Sequence, residues 1–503
     1  MGRRCIRGIL RTVLLVLAVA CSSNGKPTPR VSSSVPADAN VVTITLLQVN
    51  DVYELTPVSG GTEGGIARLA TLRKQLLADN PNTFTLLSGD LVSPSALGTA
   101  TVDGQRLAGK QMVDVMNVLG LNYATFGNHE FDLAQEELAQ RVQESRFAWF
   151  SSNVDDVNGQ PMFGLPRNVV FTVNGAAGEK ARVGLFGLTT AANGASYVRY
   201  RDPLDVARQQ VAALRDKVDV LIAVTHLSME DDIRVAQAVP DIDLILGGHE
   251  HENAEVQRGR DFTPITKADA NARTAQVHQV RFEPATRRLT IDSRLQRVTA
   301  QLADDPEVAR AVDRWVQAAF AGFRSQGFDP QRVVATTNES LDGREASVRN
   351  HPTRLTDAIA RSQLRAAPGT EVAVFNSGSI RIDDELPPGA ITEYDVLRML
   401  PFGGTVVSAQ VRGSVLQQVL DRGSASVGTG GYLQTANVSR GGDQWLINGA
   451  PLDPGKTYAV AVNDYLLSGR AGGLEFLSRD NPDVSGVAEH GDVRKALIAE
   501  LQG

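Results

Sequence analysis

The stretch 121-LNYATFGNHEFD-132 runs from apolar residues through a glycine into a row of polar side chains. The apolar part predicts a short buried strand, and Gly127 marks the turn that ends it. Asn128 follows at once, with a side-chain oxygen that can bind a metal ion. The stretch therefore predicts a strand of an α/β sheet with a functional site at its carboxyl end.

Strands of this kind alternate with helical stretches over the first 300 residues. The clearest strands are 41–49, 83–88, 121–126, 182–188, 218–224 and 242–247, and the clearest helices are 65–79 and 203–218. This alternation predicts an α/β domain, residues 41–300, with a central sheet covered by helices.

A long amphipathic stretch at 304–326 begins with Asp-Asp-Pro, and we interpret residues 301–330 as an interdomain helix. Strands at 371–375, 405–411 and 457–463 then predict a second α/β domain over residues 331–503. A chain of 503 residues fits two domains, since single cores stop growing near roughly 250–300 residues. The composition, with 21% charged residues and no charge run, gives no sign of a nucleic-acid partner.

The first twenty residues read as a secretion signal, because four arginines precede the apolar run 13-VLLVLAVA-20. Cleavage would fall before Cys21, in a context similar to the lipobox of bacterial lipoproteins. The alternative is ordinary cleavage with a free soluble product. Residues 21–40 are rich in Ser and Pro and predict a flexible tether. We therefore expect an exported protein of the periplasm or cell envelope, held by a lipid on Cys21, with outer-membrane sorting favoured by Ser22.

Metal-type side chains follow five predicted strands: Asp51, Asp90, Asn128, His226 and His249. Any one of them has a simpler explanation, such as a turn cap or a core histidine. Together they indicate a metal site, because parallel strands bring their carboxyl ends to one edge of a sheet. Oxygen and imidazole ligands without cysteine favour Mn, Zn, Fe or Co. With His251 the candidates are too many for one tetrahedral ion, which favours two divalent ions that serve phosphoester hydrolysis.

The segments 50-ND-51, 89-GD-90, 127-GNHEFD-132, 225-TH-226 and 248-GHEH-251 resemble the calcineurin-type metallophosphoesterase superfamily. Within it the chain resembles the bacterial 5′-nucleotidase and UDP-sugar hydrolase family. This resemblance implies an N-terminal four-layer α/β/β/α metallophosphoesterase domain and a C-terminal α/β domain that binds the nucleotide. It also implies rotation between the two domains.

The resemblance further implies residue roles. Asp90 would bridge two metals, with Asn128, His226 and His249 completing one site, while Asp51 and His251 hold the other. His129 would be the catalytic histidine, oriented by Asp132.

Position 53 departs from the family, which usually has Asp-x-His where this chain has Asp51-Val52-Tyr53. A neutral phenol, with an ordinary pKa of ~10, is a poor ligand for a divalent ion. We expect either a weaker first metal site or one that prefers iron or manganese, with Tyr53 bound as phenolate or only hydrogen-bonded.

The second domain contains 376-NSGSIR-381, 400-LPFGG-404 and 463-NDYLLSG-469, which resemble the family's substrate segments around Asn376 and Gly378. By this resemblance Arg344, Arg349 and Arg381 would face the phosphate, and Phe402 and Tyr465 would stack on the base. Leu474 stands near a position where the family has Asp.

These observations predict a 5′-nucleotidase-like phosphohydrolase. The alternatives on the same scaffold are a 2′,3′-cyclic nucleotide phosphodiesterase, a nucleotide-sugar pyrophosphatase and a thiosulfohydrolase. A non-catalytic nucleotide-binding lipoprotein is the alternative from another class. The oligomeric state stays open.

Overall fold

The computed structural model describes residues 40–191 and 194–503. The predicted signal peptide, the predicted lipidation site Cys21 and the predicted tether, apart from Asn40, lie outside the described residues. Within the described ranges, no helix is long and apolar enough to cross a membrane.

The first lobe contains two six-stranded sheets. Their strands are β1 (Val42–Val49), β2 (Thr83–Ser88), β3 (Tyr123–Thr125), β4 (Ala148–Trp149), β5 (Asn168–Asn174), β6 (Lys180–Thr189), β7 (Val220–His226), β8 (Leu244–Leu246), β9 (Ala254–Arg258), β10 (Thr263–Lys267), β11 (Thr274–Glu283) and β12 (Arg288–Arg297). The spatial orders are β12-β11-β1-β2-β3-β4 and β9-β10-β8-β7-β6-β5. In each sheet the four strands nearest the site are parallel, so their carboxyl ends share one edge.

The two sheets pack face to face through buried side chains that include Ile44, Leu185 and Ile222. Helices α1 (Ile66–Asp79), α2 (Lys110–Leu119) and α3 (Gln135–Glu144) cover the first sheet, and α4 (Pro203–Leu214) and α5 (Met229–Ala238) cover the second. The four-layer α/β/β/α fold is confirmed. The strand pattern alone had predicted one central sheet, because the edge strands β5, β9 and β12 are half exposed and lack the apolar runs of the inner strands.

Helix α6 (Pro306–Ser325) begins where the Asp-Asp-Pro signal predicts. The Asp305 carboxylate accepts from the backbone N–H groups of Glu307 and Val308 at 3.2 and 3.1 Å, which caps the first turn. The helix packs on α1 and α2, and near its end the ring of Phe320 lies 5.0 Å from that of Tyr394 in the second lobe. It therefore touches both lobes.

The second lobe is built on a five-stranded sheet with helices on both faces. In chain order the strands of this sheet and the helices of the lobe are α7 (Glu345–Val348), α8 (Arg354–Ala366), β13 (Val372–Asn376), α9 (Glu393–Met399), β14 (Thr405–Arg412), α10 (Gly413–Ala425), β15 (Leu433–Ala436), β16 (Thr457–Asn463), β17 (Val484–Asp492) and α11 (Val493–Gln502). The three predicted strands are present as β13, β14 and β16, while β15 and β17 were not predicted.

The lobes share one apolar core and a buried ion-pair cluster. The core runs without interruption from Leu69 in α1 to Leu497 in α11. Arg398 Nε lies 3.1 Å from Glu54 Oε1 of the first lobe, and Arg398 Nη2 lies 3.3 Å from Asp384 Oδ2. Since all three charges are buried, separating the lobes would leave them without compensation.

Candidate metal centre and substrate cavity

Three predicted ligands meet at the carboxyl edge of the sheets. Asp51, Asp90 and His226 each offer a ligand atom within 4.8 Å of the others, and all three are buried. His251 Nε2 lies 3.5 Å from Asp51 Oδ1. The strand-end pattern in the sequence therefore corresponds to a cluster in space.

The backbone at this cluster is left-handed at residues that rarely adopt it. The φ angles are 53° at Asp51, 59° at Asp90 and 82° at His249. Such strain persists where the surrounding structure enforces it, and it concentrates at functional sites. A β-carbon on Gly127 would lie 2.1 Å from Asp90 Oδ1, so only glycine lets this turn approach the carboxylate.

The histidines are oriented with one ring nitrogen towards the carboxylates. His226 Nδ1 lies 2.8 Å from the carbonyl oxygen of Ser88, which directs Nε2 to within 3.3 Å of Asp90 Oδ2 without the geometry of a hydrogen bond. Burial, helped by the neighbouring His226, lowers the pKa of His249 to about 4. Despite burial, the neighbouring carboxylates raise the pKa of His226 to about 9 and that of His251 well above its ordinary value. These two rings must lose a proton to bind a metal, because neutral imidazole is the ligand form.

This donor set fits divalent ions. Burying two carboxylates side by side is costly unless cations compensate them. Burial alone would raise the pKa of Asp51 and Asp90, but the nearby histidines hold both values below the ordinary range. His226 Nε2 makes no hydrogen bond within the described part of the chain, although it is fully buried. Oxygen and nitrogen donors of this kind suit the predicted metals Mn, Zn, Fe and Co.

Tyr53 is part of the same cluster. Its hydroxyl lies 3.0 Å from Asp51 Oδ1, 2.9 Å from Asp90 Oδ2 and 3.3 Å from His251 Nε2. Burial, together with the two carboxylates, raises the pKa of Tyr53 well above its ordinary value. The phenol thus keeps its proton and donates a hydrogen bond to these carboxylates; binding of an ion as phenolate stays a prediction.

His129 stands beside this cluster at the border of the second lobe. Its backbone N–H donates to Asp90 Oδ1 at 2.8 Å, and its Nδ1 lies 2.7 Å from Asp132 Oδ2. Its Nε2 lies 3.4 Å from Arg381 Nη1. The predicted pairing of His129 with Asp132 is present. Asn128, the residue before it, is buried.

Glu130 is a residue that the sequence analysis missed. Its buried carboxylate accepts from the backbone N–H groups of Asp90 (3.0 Å), Leu91 (2.6 Å), Val92 (3.3 Å) and Gly127 (2.6 Å). Burial, with a contribution from Asp90, raises the pKa of Glu130 to about 7 despite these donors. Glu130 therefore ties the loop after β2 to the loop after β3, and both loops carry predicted ligands.

A cavity of about 1100 Å³ lies between His129 and the second lobe. Five predicted substrate residues line it: Asn376, Gly378, Arg381, Phe402 and Tyr465. Phe402 and Tyr465 are 53% and 43% exposed, unusual for large aromatic residues, and the guanidinium of Arg381 lies 5.6 Å from the ring centre of Phe402. A cationic group and two accessible rings suit a ligand that has a phosphate and an aromatic base.

Arg344 and Arg349 are not among the residues that line this cavity. Arg344 forms a two-point ion pair with Asp342, at 2.9 and 2.7 Å. Arg349 pairs with Glu345, which also lies 3.2 Å from Arg381 Nη1. In the structure each of these arginines therefore forms an ion pair with a carboxylate of the protein. A role in phosphate binding stays a prediction for Arg344, Arg349 and Arg381.

Comparison with known proteins gives two family matches. Residues 44–253 match the family described as calcineurin-like phosphoesterase, and residues 333–479 match the 5′-nucleotidase C-terminal domain. The chain is 28% identical to protein UshA of Yersinia enterocolitica over 84% of both chains. It is 26% identical to a 5′-nucleotidase of Vibrio cholerae over 79% of this chain and 78% of the relative.

Solved structures share the fold. A 5′-nucleotidase precursor of Thermus thermophilus superposes with a TM-score of 0.74 at 24% identity, covering 92% of this chain and 96% of its own. The sulfate thiohydrolase SoxB, also of Thermus thermophilus, gives a TM-score of 0.71 at 17% identity, with 91% and 94% covered. Both lobes of the fold are thus found together in other proteins.

Proposed function

The chain belongs to the calcineurin-like phosphoesterases that carry a 5′-nucleotidase C-terminal domain, and we propose on this basis that it releases phosphate from nucleotides. One observation carries the proposal: His129, whose backbone N–H donates to Asp90 of the metal-type cluster, lines a cavity whose other wall holds Arg381, Phe402 and Tyr465. The first lobe offers the means to cleave a phosphoester, and the second offers contacts for a nucleoside.

The proposed metal sites divide the ligands into two groups. Asp90, Asn128, His226 and His249 would hold one ion, and Asp51 and His251 the other, with Asp90 shared. Divalent ions in these sites would bind the phosphate and lower the pKa of the attacking water.

The protein groups around the phosphate have separate tasks. Asp132 holds Nδ1 of His129 and would stabilise the protonated ring, so that Nε2, which faces Arg381, would give its proton to the leaving oxygen. Arg381, 3.4 Å from that nitrogen, would pair with the phosphate and stabilise charge that develops there. Phe402 and Tyr465 would hold the base between their rings.

The test is phosphate release from AMP, with Mn²⁺ and without it, by the wild type and by His129→Ala. We expect the variant to lose about 10²- to 10⁴-fold in kcat, the usual contribution of a positioned acid. His351→Ala changes an exposed histidine outside the cavity and should keep wild-type activity. Full activity in His129→Ala would refute the assigned role, and no hydrolysis of any nucleotide by the wild type would favour the non-catalytic nucleotide-binding lipoprotein.

One observation favours a larger substrate as a second candidate. Leu474 lines the cavity near the place where the resemblance puts a carboxylate, and Arg470 adds a cation. A neighbouring cavity of about 560 Å³ shares Phe402, Tyr465 and Arg470 with the first. This space suits a nucleotide with a further anionic or sugar group, so UDP-glucose belongs in the substrate panel beside AMP.

We also propose that the protein is exported and held to a membrane by a lipid on Cys21. The support is the sequence alone, 18-AVA-20 before Cys21. Mass spectrometry of the mature N-terminus tests this. A diacylglyceryl cysteine is expected, and Cys21→Ala should release the protein into the soluble fraction.

A further inference from the structure

His251 contacts both lobes through its two ring nitrogens. Nε2 faces the first-lobe cluster, 3.5 Å from Asp51 Oδ1 and 3.3 Å from the Tyr53 hydroxyl. Nδ1 lies 3.0 Å from Oδ2 of Asp383, a residue of the second lobe. A carboxylate that accepts from one ring nitrogen fixes the tautomer and leaves the other nitrogen free to act as a ligand.

Asp383 is held rigidly in this place. It is 4% exposed, and its φ of 39° lies in the left-handed region. Oδ1 accepts from the backbone N–H of Glu345 at 2.9 Å, and Oδ2 accepts from Arg273 Nη2 at 3.0 Å. Arg273 Nη2 also donates to the Asp383 carbonyl oxygen at 2.7 Å. Because Arg273 and His251 belong to the first lobe, Asp383 is fixed from both sides of the lobe boundary.

The next residue, Asp384, also joins the lobes, but its contacts serve docking alone. Asp384 is also buried, and its carboxylate accepts from the backbone N–H and the hydroxyl of Ser59 at 2.9 and 3.0 Å. It also pairs with Arg398. Asp384 thus joins the lobes without touching a predicted ligand, whereas Asp383 reaches one directly.

We propose that Asp383 is a positioning residue for His251, so that the second lobe completes the metal centre of the first. The proposal rests on the proposed function only in taking His251 as a metal ligand. By linkage, if docking of the second lobe raises metal affinity, metal binding must stabilise the docked arrangement by the same factor.

The test compares Asp383→Asn with the matched control Asp384→Asn. Mn²⁺ is titrated by calorimetry into each full-length protein after the metal has been removed with a chelator. We expect the Kd of the weaker site to rise about 10- to 100-fold in Asp383→Asn, the usual effect of losing the carboxylate behind a ligating histidine. Asp384→Asn should bind Mn²⁺ within about threefold of the wild type.

An unchanged Kd in Asp383→Asn would overturn the proposal, as would an equal loss in both variants, since that would trace the effect to lobe docking alone. Should Asp383→Asn not fold, Asp383→Glu moves the carboxylate while keeping its charge, and the same rise in Kd is expected. A double-mutant cycle with His251→Gln adds an independent readout. Asp383→Asn should cause no further loss in that background, and additive losses would refute action through His251.

Hydrogen exchange measures the reciprocal effect. Mn²⁺ should slow amide exchange around Asp383 and Glu345 in the wild type but not in Asp383→Asn, and equal protection in both would count against the proposal. Phosphate release from AMP is measured separately. A wild type that binds Mn²⁺ but cleaves no nucleotide would refute the proposed function and leave this inference intact.

Discussion

Replacing Glu130 by alanine should destabilise the protein more than most single substitutions. The change removes the acceptors of four buried backbone N–H groups, those of Asp90, Leu91, Val92 and Gly127. Each buried donor left without a partner costs about 1–3 kcal/mol. Water that enters the space left by the side chain will satisfy part of this demand. We therefore expect a loss of about 4–6 kcal/mol, a large share of the roughly 5–15 kcal/mol by which proteins are stable.

Urea unfolding, followed by circular dichroism in the presence of a chelator, measures this loss without a contribution from bound metal. At an m-value of roughly 3 kcal/mol/M the midpoint should fall by about 1.3–2 M. Glu136→Ala, an exposed change in the first turn of α3, is the control and should stay within about 1 kcal/mol of the wild type. A loss below about 1 kcal/mol in Glu130→Ala would refute the view that this carboxylate ties the two ligand loops together.

Three further predictions concern other buried groups. Burial lowers the pKa of His278 to about 3, so on acidification the unfolded chain takes up a proton near pH 6.5, before the folded protein does. The free energy of unfolding should therefore fall between about pH 6.5 and pH 3, by up to ~1.4 kcal/mol per pH unit. The variant His278→Gln should show a smaller slope in unfolding measurements across that range. Arg398→Met should lower the free energy of unfolding in urea by about 3–5 kcal/mol, because it leaves the buried charge of Glu54 without its partner. Adding Glu54→Gln should restore part of this loss. Additive losses from the two substitutions would contradict a direct pair. Tyr53→His should raise the metal content of the purified protein, and two tightly held ions in the wild type would contradict a weakened first site.

The sequence indicated the ligand set because each ligand obeys a local rule. Asp51, Asp90 and His226 each end an apolar strand, and strand ends share an edge whatever the details of packing. The helix at 304–326 was predictable for a similar reason, since its cap and its apolar face are both local signals.

The missed features depend on three-dimensional geometry that no sequence pattern records. Glu130 acts on backbone groups up to 40 positions away, and no side-chain pattern records such bonds. The ion pair of Arg344 with Asp342 depends on side-chain geometry that the resemblance could not supply. Strands β9 and β12 contain no buried residue, so their sequences lack the apolar alternation that distinguishes a strand from a loop.

The cavity between the lobes has a consequence for evolution. In the proposed function the metal ligands, His129 and Asp132 all precede position 252, whereas Arg381 and most of the cavity wall proposed to meet the rest of the substrate follow position 375. If the cavity holds the substrate as proposed, substitutions in the loop around Arg470 and Leu474 would change which substrate is accepted while the metal ligands stay the same. Proteins with this arrangement could thus evolve a new substrate specificity through substitutions in one short segment.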